Sequence, residues 1–238
     1  MTNDLIIIPD IHGRTFWKEA IQKYPNSEII FLGDYLDPYP REGISQKMAL
    51  ENFKDIIDFA NENDKCSLLL GNHDLHYMID LDGDRKDEDR EACIKELFIK
   101  NLSLFSLIKS LKINGKLYVF SHAPILERWV KGTGLPNSPE LLISELNDKI
   151  QNLIDNKFYL ESTLNFISSY RGGFDSYGSP LWSDIRELVL DGNKILTGID
   201  FNVFGHTYLK EPIITERFAC LDTEHAYILS LDGKIITA

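Results

Sequence analysis

The sequence predicts an α/β fold, and three observations predict it. Short apolar runs, "LIII" (5–8), "EIIFL" (28–32) and "CSLLL" (66–70), alternate with longer segments of helical period, a β-α-β-α-β layout. Each run opens onto a polar turn, "PDIHG", "GDYLD" or "GNHD", where a buried strand would end. The balance of 43% hydrophobic and 26% charged residues over 238 positions is that of a globular chain with a sizeable core.

Taken in order, "LIII" reads as a strand and a helix is expected from about Thr15. "EIIFL" is a second strand, followed by a helix over 44–63 capped within Ser45–Lys47. In that helix Met48, Leu50, Phe53, Ile56, Ile57 and Ala60 recur at the three-and-four spacing of one buried face. "CSLLL" is the third strand. "DLDGDRKDEDR" (80–90) is charged enough to read as a solvated loop, and its spacing does not fit an EF-hand. A helical segment is expected over 91–111, then a strand in "KLYVFS" (116–121). "SPELLISELNDKIQNLIDN" predicts a capped amphipathic helix and a further helical run is expected near 159–169, so 125–200 is taken as a helical insertion within one domain spanning 1–238. Beyond it, "DFNVFG", "EPIIT", "RFACLD", "HAYILSL" and "KIITA" are short strand-like runs, expected to form an antiparallel sheet with a turn at Asp232-Gly233.

Charge and cysteine content narrow the function. A net charge of −12 disfavours a nucleic-acid duplex or an anionic membrane as partner and favours cations. Cys66, Cys93 and Cys220 are odd in number and scattered through apolar or helical patterns, so buried free thiols are expected. "MTNDLIIIPD" lacks the basic lead and apolar length of a signal peptide and no stretch reaches membrane-spanning length, which points to the cytoplasm.

The residues that break the strand pattern are those that carry chemistry. Asp10 and His12 follow the first strand, Asp34 and Asp37 the second, Asn72 and His73 the third; His122 follows "KLYVF" and His206 follows "DFNVF". In an open α/β layout strand C-termini share one edge of a sheet, so residues far apart in sequence can converge there. Asp-x-His alone is expected in roughly one chain in four, but Gly-Asn-His-Asp in only roughly one in a thousand, so their ordered appearance with Gly-Asp-x-x-Asp is not accidental. Imidazole and carboxylate suit divalent manganese, iron or zinc, and no cysteine stands in these turns. Two ions a few ångström apart need a bridging carboxylate, and Asp34 is the natural bridge. Asp10 and His12 would hold the first ion, and Asn72, His122 and His206 the second.

These motifs resemble the calcineurin-like metallophosphoesterases, and "DIHGR", "GDYLD", "GNHD", "SHAP", "PLWSD" and "FGHT" are most similar to the phosphoprotein phosphatase branch and its short bacterial relatives. "ACLDTEHAYILSLDG" is similar to the closing hairpin of that branch. The resemblance implies a four-layer sandwich, two mixed β-sheets packed face to face and flanked by helices. It implies a dimetal phosphoester hydrolase, manganese the first expectation, with the six ligands above and a metal-bridging hydroxide as nucleophile. His73 would act as general acid on the leaving group, oriented by Asp37, while Asp74 fixes the turn; His76 is read as a surface or helix-start residue and His225 as a strand residue. Pro38 stands where the branch usually carries an arginine, so Arg41 or Arg14 is expected to bind substrate phosphate, with Arg171 a competitor. Trp182 and Tyr177 are read as core packing. A phosphomonoesterase acting on a phosphorylated protein, nucleotide or small molecule is expected; a dinucleoside polyphosphate or cyclic nucleotide hydrolase is the alternative, and a non-catalytic scaffold a distant third. Oligomeric state is left open.

Overall fold

A computed structural model of the chain describes residues 4–238. In chain order its first elements are β1 (Leu5–Ile8), α1 (Phe16–Lys23), β2 (Glu28–Phe31), α2 (Gln46–Glu62), β3 (Cys66–Leu69), α3 (Asn72–Ile79), α4 (Glu91–Lys100) and β4 (Phe105–Ser106). There follow β5 (Ile108–Ile113), β6 (Lys116–Ser121), α5 (Glu127–Thr133), α6 (Pro139–Gln151), α7 (Leu153–Leu164) and α8 (Ile185–Val189). The chain closes with β7 (Phe201–Phe204), β8 (Ile213–Ile214), β9 (Phe218–Cys220), β10 (Tyr227–Leu229) and β11 (Ile235–Thr237). Two compact units result: the described residues up to Phe105 with Glu224–Ala238, and Ser106–Thr223.

The first unit is built on a mixed sheet in the order β11-β10-β1-β2-β3-β4. β1, β2 and β3 are mutually parallel, because α1 and α2 return the chain to the same edge, and their C-terminal ends lie side by side. All four residues of β1 are buried, as a continuous apolar run in a parallel strand requires. Ser45 Oγ accepts the Met48 N–H and starts α2, whose Leu50, Phe53, Ile56, Ile57 and Ala60 face the core. Met48 departs from the expected face: it is 56% exposed, since the buried stripe runs through Ala49, Leu50, Phe53, Ile56, Ile57 and Ala60 and Met48 lies across the helix from it.

The second unit carries a mixed sheet in the order β5-β6-β7-β9-β8, with α5 to α8 lying between β6 and β7 in the chain. β6 and β7 are parallel neighbours, so their C-terminal ends are adjacent. Ser138 takes the N-cap position of α6 but bonds the Glu140 carboxylate through its hydroxyl, and Pro139 opens the helix. Asp184 and Glu187 form a reciprocal capping box on α8.

Several sequence expectations are corrected. The helix expected over 91–111 stops at Lys100, and 108–113 is strand β5, paired with β6 through Asn114-Gly115. Both turn residues have positive φ (51° and 78°), the two-residue hairpin for which Asn-Gly is the strongest local signal. The tail is not one antiparallel sheet: β7 and β9 pair in parallel in the second unit, whereas β10 and β11 form an antiparallel hairpin in the first. Pairing is decided there by distant partners. The helical run near 159–169 ends at Leu164, and Cys93 is exposed while Cys220 is buried, all three thiols being free.

Candidate active site

The loops after β1, β2 and β3 are stitched into one platform. Ile11 and His12 N–H both donate to the Asp34 carbonyl (3.1 and 2.7 Å), and Gly13 N–H to that of Tyr35 (3.0 Å). The Asp74 carboxylate accepts N–H groups from Gly71 (2.8 Å), Asp34 (2.7 Å) and Tyr35 (3.0 Å), so it fixes the turn as expected. The β2 and β3 loops touch at Gly71, where a Cβ would stand 2.1 Å from Asp34 Oδ1. His12, Asp34 and Asp37 have φ of 44°, 54° and 58°. Such angles are uncommon outside glycine and cluster where function holds backbone strain in place.

This platform gathers donors for a cation. Single ligand atoms of Asp10, His12 and Asp34, all buried, lie within 4.8 Å of one another. His12 Nδ1 donates to the Leu36 carbonyl (2.8 Å), which leaves Nε2 as the lone-pair nitrogen, 3.5 Å from Asp34 Oδ2. Burial, then the neighbouring His73, holds the His12 imidazole well below its ordinary pKa, the neutral form a metal ligand needs. Asn72 opens α3 and is buried, and the His73 N–H donates to Asp34 Oδ1 (3.0 Å).

Asp37 organises a second group. It accepts from His73 Nδ1 (2.8 Å) and the Tyr77 hydroxyl (2.5 Å), and His76 Nε2 lies 3.0 Å from the same oxygen as His73. Burial works to raise the Asp37 pKa, yet the hydrogen bonds from His73 and His76 outweigh it and the net direction is down. For His73, burial opposes the charged form while Asp34 and the Asp37 bond favour it, and the net direction is up. His76 is buried on α3 rather than at the surface, because its ring fills the space between Asp37 and the following loop.

In the second unit His122 and His206 follow the adjacent ends of β6 and β7. His122 Nε2 and His206 Nδ1 are 3.0 Å apart, close enough for both to bind one cation with metal–nitrogen bonds of ~2.1 Å. The "SHAP" turn is clamped by Asn202, whose amide bonds the Val119 carbonyl, Ser121 Oγ and the Ile125 N–H. "PLWSD" braces it: Ala123 N–H donates to the Pro180 carbonyl and Ser183 Oγ to that of Pro124. His206 sits at φ 64°, and Trp182 meets its ring edge-on, centroids 6.1 Å apart. Tyr177 stacks on Phe166.

The family model described as calcineurin-like phosphoesterase matches residues 5–209, most of the chain and all six proposed ligand positions. The chain belongs to the calcineurin-like phosphoesterase family. This calcineurin-like phosphoesterase is accordingly a metal-dependent hydrolase of phosphorylated substrates, and its clustered donors suit the dimetal chemistry of the family. No curated protein matches the chain. Among solved structures, a cold-active protein-tyrosine phosphatase of a psychrophilic Shewanella species is 15% identical, with 100% of this chain and 80% of that one covered and a TM-score of 0.58. A further structure of a cold-active protein tyrosine phosphatase gives 16% identity, coverage of 100% and 79%, and a TM-score of 0.61. These likenesses show the fold: an α/β architecture of two mixed sheets with flanking helices. A Sphaerobacter thermophilus metallophosphoesterase is 12% identical, with 100% and 87% covered and a TM-score of 0.47. No helix among the described residues is long and apolar enough to cross a membrane.

The structure also places the arginines of this phosphoesterase. Arg14 is paired with Glu42 through two nitrogens (2.9 and 2.7 Å) and with Glu224 (3.3 Å). Arg41 lies outside, its side chain 65% exposed. Arg171 lies in the second unit, 3.6 Å from Asp184. Arg85, which sits inside the charged 80–90 stretch that reads as a solvated loop, reaches His73: its Nη2 is 3.3 Å from His73 Nε2. His225 is exposed in the bend before β10 rather than in the strand, since pairing begins at Tyr227.

Proposed function

We propose that this phosphoesterase is a phosphomonoesterase of protein-phosphatase type, working with two divalent ions, manganese first and iron or zinc as substitutes. The observation that carries this reading is the His73–Asp37 pair, standing in the same unit as the Asp10, His12 and Asp34 donors. Asp10, His12 and Asp34 would hold the first ion and Asn72, His122 and His206 the second, with Asp34 shared. Oxygen and neutral imidazole donors without thiolate fit such ions. When bound, two such ions supply Lewis-acid polarisation of the phosphoryl group and a water acidic enough to attack near neutral pH.

The chain's own groups do the rest. Asp37 accepts a hydrogen bond from the His73 Nδ1–H and so fixes the ring's orientation, leaving Nε2 to carry a proton to the departing oxygen. The Tyr77 hydroxyl donates to the other oxygen of Asp37, and His76 Nε2 lies 3.0 Å from the oxygen that His73 uses. The entire chain would act as one metallophosphoesterase domain, with 125–200 as an insertion that shapes substrate choice. A cytoplasmic setting belongs to the same proposal, supported by the free thiols of Cys66, Cys93 and Cys220. Because the Shewanella structure is described as a protein-tyrosine phosphatase, an aryl monoester is the first substrate to try.

The test compares p-nitrophenyl phosphate with bis(p-nitrophenyl) phosphate on manganese-loaded protein. Preference for the monoester in kcat/KM is expected. Preference for the diester, or for a dinucleoside polyphosphate, would replace the monoesterase reading with the alternative, and no turnover of any ester would favour a scaffold.

A further inference from the structure

A phosphomonoester brings two negative charges, and a chain of net charge −12 needs a fixed cation to receive them. Three guanidinium groups surround the Tyr39 ring: Arg85 at 4.0 Å from its centroid, Arg41 at 5.2 Å and Arg14 at 5.5 Å. Tyr39 in turn meets His12 edge-on, with centroids 5.0 Å apart. The three differ in what already holds them. Arg14 is engaged by two carboxylates, those of Glu42 and Glu224. Arg41 extends toward solvent, and Arg85 faces the proposed general acid.

Arg85 is held there from several sides. Its Nε donates to the Asp37 carbonyl (3.0 Å), its own carbonyl accepts from Gln46 Nε2 (2.6 Å), and its side chain is 16% exposed. The loop that carries it is pinned by the Asp87 N–H to the Tyr77 hydroxyl (2.7 Å) and by Lys86 Nζ to the Leu81 carbonyl (2.9 Å). Gly83 lies flat on His76, where a Cβ would stand 1.9 Å from Nδ1, so no other residue lets the loop come this close. The remaining contact is to an anion: Nη1 holds the carboxylate of Asp84, a side chain 80% exposed and free to swing out when a competing anion arrives.

We infer that Arg85 is the residue that grips the substrate phosphate, its guanidinium stacked on Tyr39 and its Nη2 edge sharing the phosphoryl oxygens with His73. The inference rests on the phosphoesterase site proposed above and deepens it. A planar fork held at Nε and on its face presents its outer N–H groups in a fixed direction, which suits the tetrahedral oxygens of a phosphate better than a mobile ammonium would.

The test uses metal-loaded wild type, Arg85→Ala and Arg85→Lys, with inorganic phosphate as probe. Calorimetric titration should show phosphate affinity falling about 10- to 100-fold in Arg85→Ala, with partial recovery in Arg85→Lys. The kcat/KM loss should be larger for p-nitrophenyl phosphate than for its bis ester, which offers one charge instead of two. Metal content measured alongside should stay at the wild-type value. Phosphate affinity within twofold of wild type in Arg85→Ala would overturn the inference, as would equal losses on the two esters. Because the titration needs no turnover, a protein that prefers diesters would sink the monoesterase reading while still judging Arg85.

Discussion

His73 Nδ1 lies 2.8 Å from Asp37 Oδ2, on a carboxylate also held by the Tyr77 hydroxyl at 2.5 Å. That bond determines which nitrogen of His73 faces outward. A ring whose Nδ1–H is committed to a carboxylate presents Nε2, and protonation there leaves a donor aimed at whatever oxygen departs.

If that donor is the general acid, the loss on replacing it depends on how much help the leaving group needs. His73→Asn is expected to lower kcat by about 10²–10⁴ on an alkyl phosphate and by less on p-nitrophenyl phosphate, whose phenolate leaves readily. Steady-state kinetics over a series of leaving groups measures this. Equal losses across the series would remove His73 from proton transfer.

Asp74 is predicted to matter through the backbone. Its carboxylate is the acceptor for buried N–H groups of Gly71, Asp34 and Tyr35, and Asp74→Ala leaves all three without it. An orphaned buried donor costs about 1–3 kcal/mol, so a total loss above about 2 kcal/mol is expected in denaturant unfolding. An unchanged midpoint would show that the loop contact is not sustained by Asp74.

Asp184 gives a prediction in pH. Burial alone would raise its carboxyl, but bonds from the Arg186 guanidinium and N–H, with Arg171 nearby, bring the net direction below the ordinary value. A depressed folded pKa means stability that is present above the unfolded value of ~3.9 and is lost as pH falls through the folded one. The stability gap between wild type and Asp184→Asn should therefore be widest at neutral pH and close as pH drops below about 4. A gap independent of pH would contradict the ion pairing.

Much of the first unit was legible because its signals are local. "LIII", "EIIFL" and "CSLLL" are buried strands whose turn residues must be polar, and the turns carry Asp10, Asp34 and Asn72 to one sheet edge. The Asn114-Gly115 turn signal stands in the sequence, but Leu104, Phe105, Leu107 and Ile108 before it fit a helical period as well as a strand, so the expected helix covers β5 and the hairpin goes unread. The pairing of β7 with β6 and of β10 with β1 was not legible, since each partner lies more than 80 positions away. Arg85 and His76 were missed for a related reason. A charged loop reads as solvated until its path is known, and here the path is set by Gly83 meeting His76 and by Asp87 meeting Tyr77. A glycine at 83 and an arginine two positions after it amid "DLDGDRKDEDR" are the available signals.

Under the proposed function, Asp10, His12, Asp34, Asn72, His122 and His206 would hold a pair of divalent ions. Elemental analysis of manganese-loaded protein, with electron paramagnetic resonance on the same samples, tests it most directly. Two ions per chain with an exchange-coupled spectrum are predicted, falling to one or none, uncoupled, in Asp34→Ala. A single uncoupled ion in the wild type, or an intact coupled pair in Asp34→Ala, would contradict it.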